Sequence, residues 1–205
     1  MARDTQSIVK MSRREGYALH PKAHKALAKR TSKPGQAANA RMRNKPSQYS
    51  LQLREKQKVK RLYGLLEKQF SNLMAEASRT PGQSGATLLH YLERRLDNTV
   101  YRAGFAPSRR AARQLVTHGH FMLNGRRVDI PSIRVREGDL VELRPRSKES
   151  EYFKKLDDVS PVPSAIPTWQ SVDRKKIQLK VTGLPVRDDA EPEINEQLIV
   201  EYYSR

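Results

Sequence analysis

A chain of 205 residues is long enough for one large domain or two small ones. Its 40 Lys and Arg against 22 Asp and Glu leave a formal net charge of +18, a surface suited to a polyanionic partner. With only 37% hydrophobic residues, no apolar run of about 18 residues and no cysteine, the composition excludes a membrane-spanning helix, disulfides, thiolate catalysis and Cys-ligated zinc.

The first ten residues lack the apolar stretch of a secretory signal, so a soluble protein in a reducing cytoplasm is expected. Residues 1–61 hold 17 basic and 3 acidic side chains, which places most of the excess charge in the first third of the chain. Apolar side chains are sparse through residue 45, and Pro21, Pro34, Gly35 and Pro46 interrupt any long helix. Such a segment buries too little surface to offset its ordering entropy. It reads as an extended basic arm over 1–45, with short helices at most, for example around Pro21 to Arg30, that orders along phosphates.

A different texture starts at Tyr49. Val59, Leu62, Leu66, Phe70, Leu73 and Ala77 recur at three- and four-residue intervals, which predicts one apolar helix face ending before Thr80, Pro81 and Gly82. Arg54, Lys56, Lys58, Lys60 and Arg61 then offer cations on another side of that helix. Residues 81–86 read as a loop and a domain boundary.

Leu88, Leu92, Leu96 and Val100 form a second helical stripe, closed by Gly104 as a left-handed cap. On one side of this predicted helix lie Tyr91, Arg95, Asn98 and Arg102, the two arginines seven residues apart. Ser108 is placed to cap the next helix, whose start carries Arg109, Arg110 and Arg113 as an exposed cationic cluster beside free backbone amides, an arrangement suited to phosphate. That helix ends near His118. All 12 basic residues of 88–146 are Arg, whose planar guanidinium bonds phosphate bidentately and stacks on bases. After Gly119 the pattern turns extended: Phe121 and Leu123, an Asn124-Gly125 hairpin turn, Arg126-Arg127-Val128, then a third strand at Leu140 to Leu143. Residues 147–205 carry 9 basic and 11 acidic side chains and too few apolar ones for an independent core, so they are expected to return to the first helical unit. Short extended pieces are expected between Trp169 and Leu184, and a terminal helix over Ile194 to Tyr203, docked on the helix beginning near Gln52.

The chain shows no Gly-x-Ser-x-Gly elbow and no Gly-rich phosphate loop ending in Lys and Ser. His118 and His120 lack a third ligand at suitable spacing, so neither catalysis nor a metal is expected.

The residues Leu92-Glu93-Arg94-Arg95-Leu96-Asp97-Asn98, Val100 to Phe105, Ser108-Arg109, Ala112 to His118, and the Asn124-Gly125 hairpin followed by Val128-Asp129-Ile130-Pro131-Ser132 resemble the S-four RNA-binding domain. Outside it, Ser12-Arg13-Arg14-Glu15-Gly16, Gln52 to Lys58, Leu66 to Phe70, Pro167-Thr168-Trp169 and Ile194 to Glu201 extend the likeness to the bacterial small-subunit ribosomal protein four family. Some relatives carry a cysteine zinc knuckle around the Arg13-Arg14 motif; with Met11 and no cysteine here, no cofactor is expected.

The resemblance implies an α+β, mostly helical protein: a basic arm over 1–45, a helical domain over 46–87 completed by 160–205, and an inserted S-four domain over 88–159 with two helices and a small twisted antiparallel sheet. It implies no enzyme, although S-four modules also occur on pseudouridine synthases and tyrosyl-type tRNA synthetases, which need a separate catalytic domain. A free-standing RNA chaperone would lack the basic arm and the Gln52 to Phe70 helix. The implied role is a primary assembly protein of the small ribosomal subunit, bound to a multi-helix junction in the five-prime domain of small-subunit rRNA. Its neighbours would be small-subunit proteins three and five near the messenger entry channel, with an effect on decoding accuracy, and some members also bind and repress their own messenger RNA. The residues expected to meet RNA are Arg13 and Arg14 in the arm, Tyr49, Arg54, Lys56, Lys58 and Arg61 in the helical domain, and Arg95, Arg102, Ser108, Arg109, Arg110, Arg113, His118, Arg126 and Arg127 in the S-four domain.

Overall fold

The computed structural model describes residues 4–30, 32–35, 45–163 and 165–204. Arm residues 1–3, 31 and 36–44 lie outside this set. The fold is α+β, with more helix than strand, and the chain divides into two units: residues 4–88 with 193–204, and residues 89–192.

In the first unit the arm contributes two helices, α1 (Ile8–Glu15) and α2 (Ala23–Lys29). Met11, Leu19 and Ala23 are buried, so this part of the arm is folded, with α1 packed on both α2 and α3. The long helix expected from Gln52 to Ala77 is two: α3 (Gln48–Leu62) and α4 (Glu67–Arg79). Gly64 supplies the break, since at φ 67 it lets the amides of Gly64 and Leu65 turn back onto the carbonyls of Arg61 and Lys60. Ser47 caps α3 through its hydroxyl. The terminal helix α10 (Glu196–Tyr203) packs on α3, with Ile199 buried and Asn195 accepting from the amides of Gln197 and Leu198.

The second unit is built from α5 (Ser84–Glu93), which crosses the boundary between the units, α6 (Leu96–Arg102), α7 (Arg109–Thr117), two single-turn helices, α8 (Glu151–Lys154) and α9 (Leu156–Val159), and a five-stranded antiparallel sheet. The strands are β1 (Phe121–Leu123), β2 (Arg126–Val128), β3 (Leu140–Leu143), β4 (Gln170–Asp173) and β5 (Gln178–Val181), in the order β2-β1-β3-β5-β4. Asn124 and Gly125, at φ 50 and 77, form the tight turn between β1 and β2. The sheet is larger than the three strands expected before residue 146. Val141 pairs with Leu179 and Leu179 with Val172, so the 170–181 hairpin extends this sheet. Alternation explains it: Leu179 and Val181 face the same core as Phe121, Val141 and Leu143, which closes over Leu96, Val100, Phe105, Val116 and Trp169.

The stripe from Leu88 to Val100 is also two helices. α5 stops at Glu93 because the next residues turn extended and bridge a distant segment, with the Val135 amide donating to the Arg94 carbonyl at 2.9 Å and the Leu96 amide to the Ile133 carbonyl at 2.8 Å. α6 ends as the sequence suggests: Gly104 is left-handed at φ 76, and the amides of Gly104 and Phe105 satisfy the carbonyls of Tyr101 and Val100.

Candidate nucleic-acid interface

The break at Arg94 separates residues that a continuous helix would have aligned. Arg95 is 5% exposed, and its Nε and Nη2 donate to both oxygens of Asp97 at 3.1 and 2.8 Å. Arg102 forks onto the buried Glu93, Nε to Oε2 at 3.1 Å and Nη2 to Oε1 at 2.9 Å. The Asn98 amide donates to the same Glu93 Oε2 at 2.8 Å and accepts from Arg109 Nε at 2.8 Å. Arg109 also donates to Glu191 at 3.0 Å and lies over the Tyr101 ring at 4.7 Å. The expected outward face of Tyr91, Arg95, Asn98 and Arg102 is therefore corrected: Arg95, Asn98 and Arg102 are spent on a buried polar network that joins α5, α6, α7 and residue 191.

The start of α7 is likewise less open than its sequence suggests. Ser108 is buried, its hydroxyl accepting from the Ala111 amide at 3.2 Å. Arg113 is partly buried, with Nη1 3.9 Å from Asp97; burial lowers its guanidinium pKa, Asp97 opposing and Arg95 adding to the shift.

What remains outward is a smaller set. Arg110, at the first turn of α7, and Arg126 and Arg127, on the edge strand β2, are exposed, and none has a carboxylate partner among the described residues. Arg127 is nonetheless oriented: its guanidinium lies over the backbone of Gly119, where a Cβ would come within 2.5 Å of Nε. The His118 side chain is exposed as well. His120 turns inward, with Nδ1 3.0 Å from the Ser147 hydroxyl, and burial lowers its pKa. Among the described residues no group of three or more His, Asp or Glu is placed to hold a metal ion.

In the first unit the cations of α3, expected on an open face, are each paired within the protein. Arg54 and Arg61 converge on Glu15 Oε1 of α1, at 3.2 and 2.5 Å. Burial raises the Glu15 pKa despite the opposing charges of Arg54, Arg61 and Arg14. Lys56 is buried, bonded to Glu67 at 2.5 Å and 4.4 Å from the Tyr202 ring centroid. Lys60 shares Glu67 at 2.9 Å, and Lys58 donates to the Glu193 carbonyl at 2.7 Å and pairs with Glu55 at 2.8 Å. Arg13 donates to the Ser32 carbonyl at 3.1 and 3.0 Å. The arm itself carries a run of exposed cations, at Lys10, Arg14, Lys22, Lys25, Lys29, Arg30 and Lys33, none of them ion-paired among the described residues. Tyr49 is 48% exposed, its ring 5.8 Å from that of Tyr202.

The expected set missed further arginines at the bridge between the two extended segments: Arg134 lies over the Tyr91 ring, with Arg94 and Arg136 near it in the chain pairing. The signal was present as a two-residue period, Ile133 and Val135 alternating with Arg134 and Arg136.

Two family models match the chain: the ribosomal protein S4/S9 N-terminal domain over residues 3–93, and the S4 domain over residues 94–141. The small ribosomal subunit protein uS4 of Roseiflexus castenholzii is 48% identical over 206 residues, covering 100% of both chains. That of Chlorobium phaeovibrioides is 50% identical over 206 residues and that of Clostridioides difficile 49% over 211, again across 100% of both chains. The chain belongs to the uS4 family. Membership places it among structural proteins of the small ribosomal subunit, not among enzymes. The S4-domain match includes α6, α7 and the β1–β2 hairpin, and so takes in Arg110, Arg126 and Arg127. The N-terminal match takes in the arm and the Glu15 pairings. Among the described residues no helix is long and apolar enough to cross a membrane.

Proposed function

We propose that this protein is an rRNA-binding constituent of the small ribosomal subunit that pins several RNA helices at a junction in the five-prime domain and so supports early assembly. The observation that carries this reading is the division of its cations. Those on α3 and α6 pair with carboxylates of the protein, Glu15 and Glu93 among them buried, whereas the exposed arginines of α7 and β2 and the exposed cations of the arm have no carboxylate partner among the described residues. A surface of guanidiniums on a folded scaffold, with further cations along a basic N-terminal arm, matches the phosphate backbone of folded RNA, where contacts position the protein more than they read sequence. Arg14, Tyr49, Arg110, His118, Arg126 and Arg127 are its proposed RNA contacts; Arg13, Arg54, Lys56, Lys58, Arg61, Arg95, Arg102, Ser108 and Arg109 act by holding the fold behind them, and Arg113 stands between the two groups. The resemblance to the family supports a location near the messenger entry channel beside small-subunit proteins three and five, and repression of its own messenger is the further RNA-binding role it suggests.

Footprinting of the full chain on protein-free small-subunit rRNA over a salt series tests the reading. Saturable protection at a five-prime-domain junction is expected. For about 8 neutralised phosphates, log affinity falls against log salt with a slope of about −6 to −7. Diffuse protection without a preferred site, or a flat salt response, would overturn it in favour of general RNA association.

A further inference from the structure

Asn124 does more than shape the turn between β1 and β2. Its backbone amide donates to the Leu140 carbonyl at 2.8 Å, and its side chain grips the start of β3 with both polar atoms: Oδ1 accepts the Leu140 amide at 2.9 Å, and Nδ2 donates to Asp139 Oδ1 at 2.8 Å. The strand is itself fixed at that point, since Asp139 Oδ2 accepts the Arg136 amide at 2.7 Å and the Asp139 carbonyl accepts the Val181 amide at 2.9 Å. The Asn124 side chain is therefore clamped by residues 15 and 16 positions further along the chain, although Asn124 and Gly125 are both exposed.

Asparagine before glycine is also a pair that reacts with itself. Gly125 has no Cβ to shield its nitrogen, and the space where one would stand is open. Attack of that nitrogen on Asn124 Cγ forms a C–N bond and closes a five-membered imide. The bond from Cγ to Nδ2 breaks, and Nδ2 leaves as ammonia with the proton given up by the Gly125 nitrogen. Water then opens the ring at either carbonyl, leaving aspartate, or isoaspartate with the main chain routed through Cγ. Closing the ring turns the side chain and the Asn124–Gly125 peptide toward each other, which a side chain bonded at both polar atoms resists. We propose that Asn124 is a self-modification site latched by Asp139 and Leu140: conversion to aspartate or isoaspartate proceeds when the turn lifts off β3 and is suppressed while it is seated. The change runs one way. An acid at this position has no donor for Asp139 and sets two carboxylates where a 2.8 Å hydrogen bond stood. Isoaspartate also adds a main-chain carbon to a two-residue turn, which offsets the pairing of Leu123 with Arg126 and displaces Arg126 and Arg127 on β2.

The test follows the tryptic peptide Gln114–Arg126 by mass spectrometry while the full chain is incubated in mildly alkaline buffer, with the aspartate and isoaspartate forms separated by chromatography. Two hydrogen bonds of ordinary net strength correspond to a slowing of about tenfold or more, so the folded chain should lose the Asn124 amide at least that much more slowly than the same chain unfolded in urea. Folded Asp139→Ala, which keeps only the Leu140 half of the latch, should react about fivefold faster than the natural chain. If Asp139→Ala melts early, Asp139→Glu, which keeps the charge and moves the oxygens, carries the comparison. Converted protein, recovered and refolded, should melt at a lower temperature than unconverted protein. Equal rates in the folded and unfolded chain, or an Asp139 variant no faster than the natural chain, overturn the latch. An unfolded chain that keeps its amide overturns the site itself, and converted protein that melts like the natural chain overturns the one-way consequence.

Discussion

Glu93 holds the Arg102 guanidinium by both of its oxygens while 1% exposed, and the Asn98 amide that shares one of those oxygens passes the connection on to Arg109. Removing the carboxylate leaves Arg102 without its principal counter-charge inside the unit. Glu93→Gln should lower unfolding free energy by about 3 kcal/mol or more, read as a drop in the urea midpoint. Arg110→Ala, on the open surface, should change it by less than about 0.5 kcal/mol.

A second expectation separates binding from folding at neighbouring arginines of α7. Arg110→Glu should weaken rRNA binding and leave the melting temperature unchanged. Arg113→Glu should lower both, because it sets a carboxylate in a partly buried position beside Asp97, where Arg113 now stands 3.9 Å away. Parallel melting curves and RNA titrations check this; equal melting temperatures for the two variants would show that the Asp97 contact carries no weight.

The two carboxylates that clamp α3 should give opposite pH signatures. Burial raises the Glu67 pKa, but hydrogen bonds from Lys56 and Lys60 outweigh it and bring the group down to about 2. Its folded pKa thus lies below the ordinary 4.5, and its contribution is present above that value and lost as pH falls toward 2. The stability difference between the natural chain and Glu67→Gln should hold steady near neutrality and shrink on acidification. Glu15, raised chiefly by burial, works the other way: its contribution is complete below pH 4.5 and is lost as pH rises through the folded pKa, so the natural chain should gain on Glu15→Gln as pH falls. Urea midpoints at stepped pH measure both.

Gly104→Ala should destabilise the second unit by more than the roughly 1 kcal/mol that a left-handed backbone costs an L residue. The added methyl would sit 2.4 Å from Pro163 Cδ, so the segment after α9 must shift as well. Thermal melting followed by circular dichroism would show the loss.

Local signals carried the reading of this fold well and long-range ones did not. Ser108 as a cap, the Asn124-Gly125 turn and the left-handed Gly104 are each decided by a few adjacent residues, and all three stand in the structure. The breaks at Gly64 and Arg94 were hidden because apolar spacing continued across them. At Arg94 what ends the helix is pairing with a segment about 40 residues away. The same distance problem governed the candidate site. Arg61 finds Glu15 across 46 residues and Arg109 finds Glu191 across 82, so basic residues counted as surface charge turned out to be counter-ions of distant acids. Arg110, Arg126 and Arg127 stayed outward, with no such partner among the described residues.

The first unit is assembled from residues 4–88 and 193–204, with the whole second unit lying between them in the chain. During synthesis, therefore, α1, α3 and α4 emerge early but wait for α10, which brings Ile199 to the core and Glu201 to Gln52. Residues 89–192 emerge complete before that helix does, so the later-starting unit is the first able to finish folding. A nascent chain would therefore carry Arg126 and Arg127 on a finished sheet while its helical half still lacks α10, and the arrival of that helix is what completes the first unit.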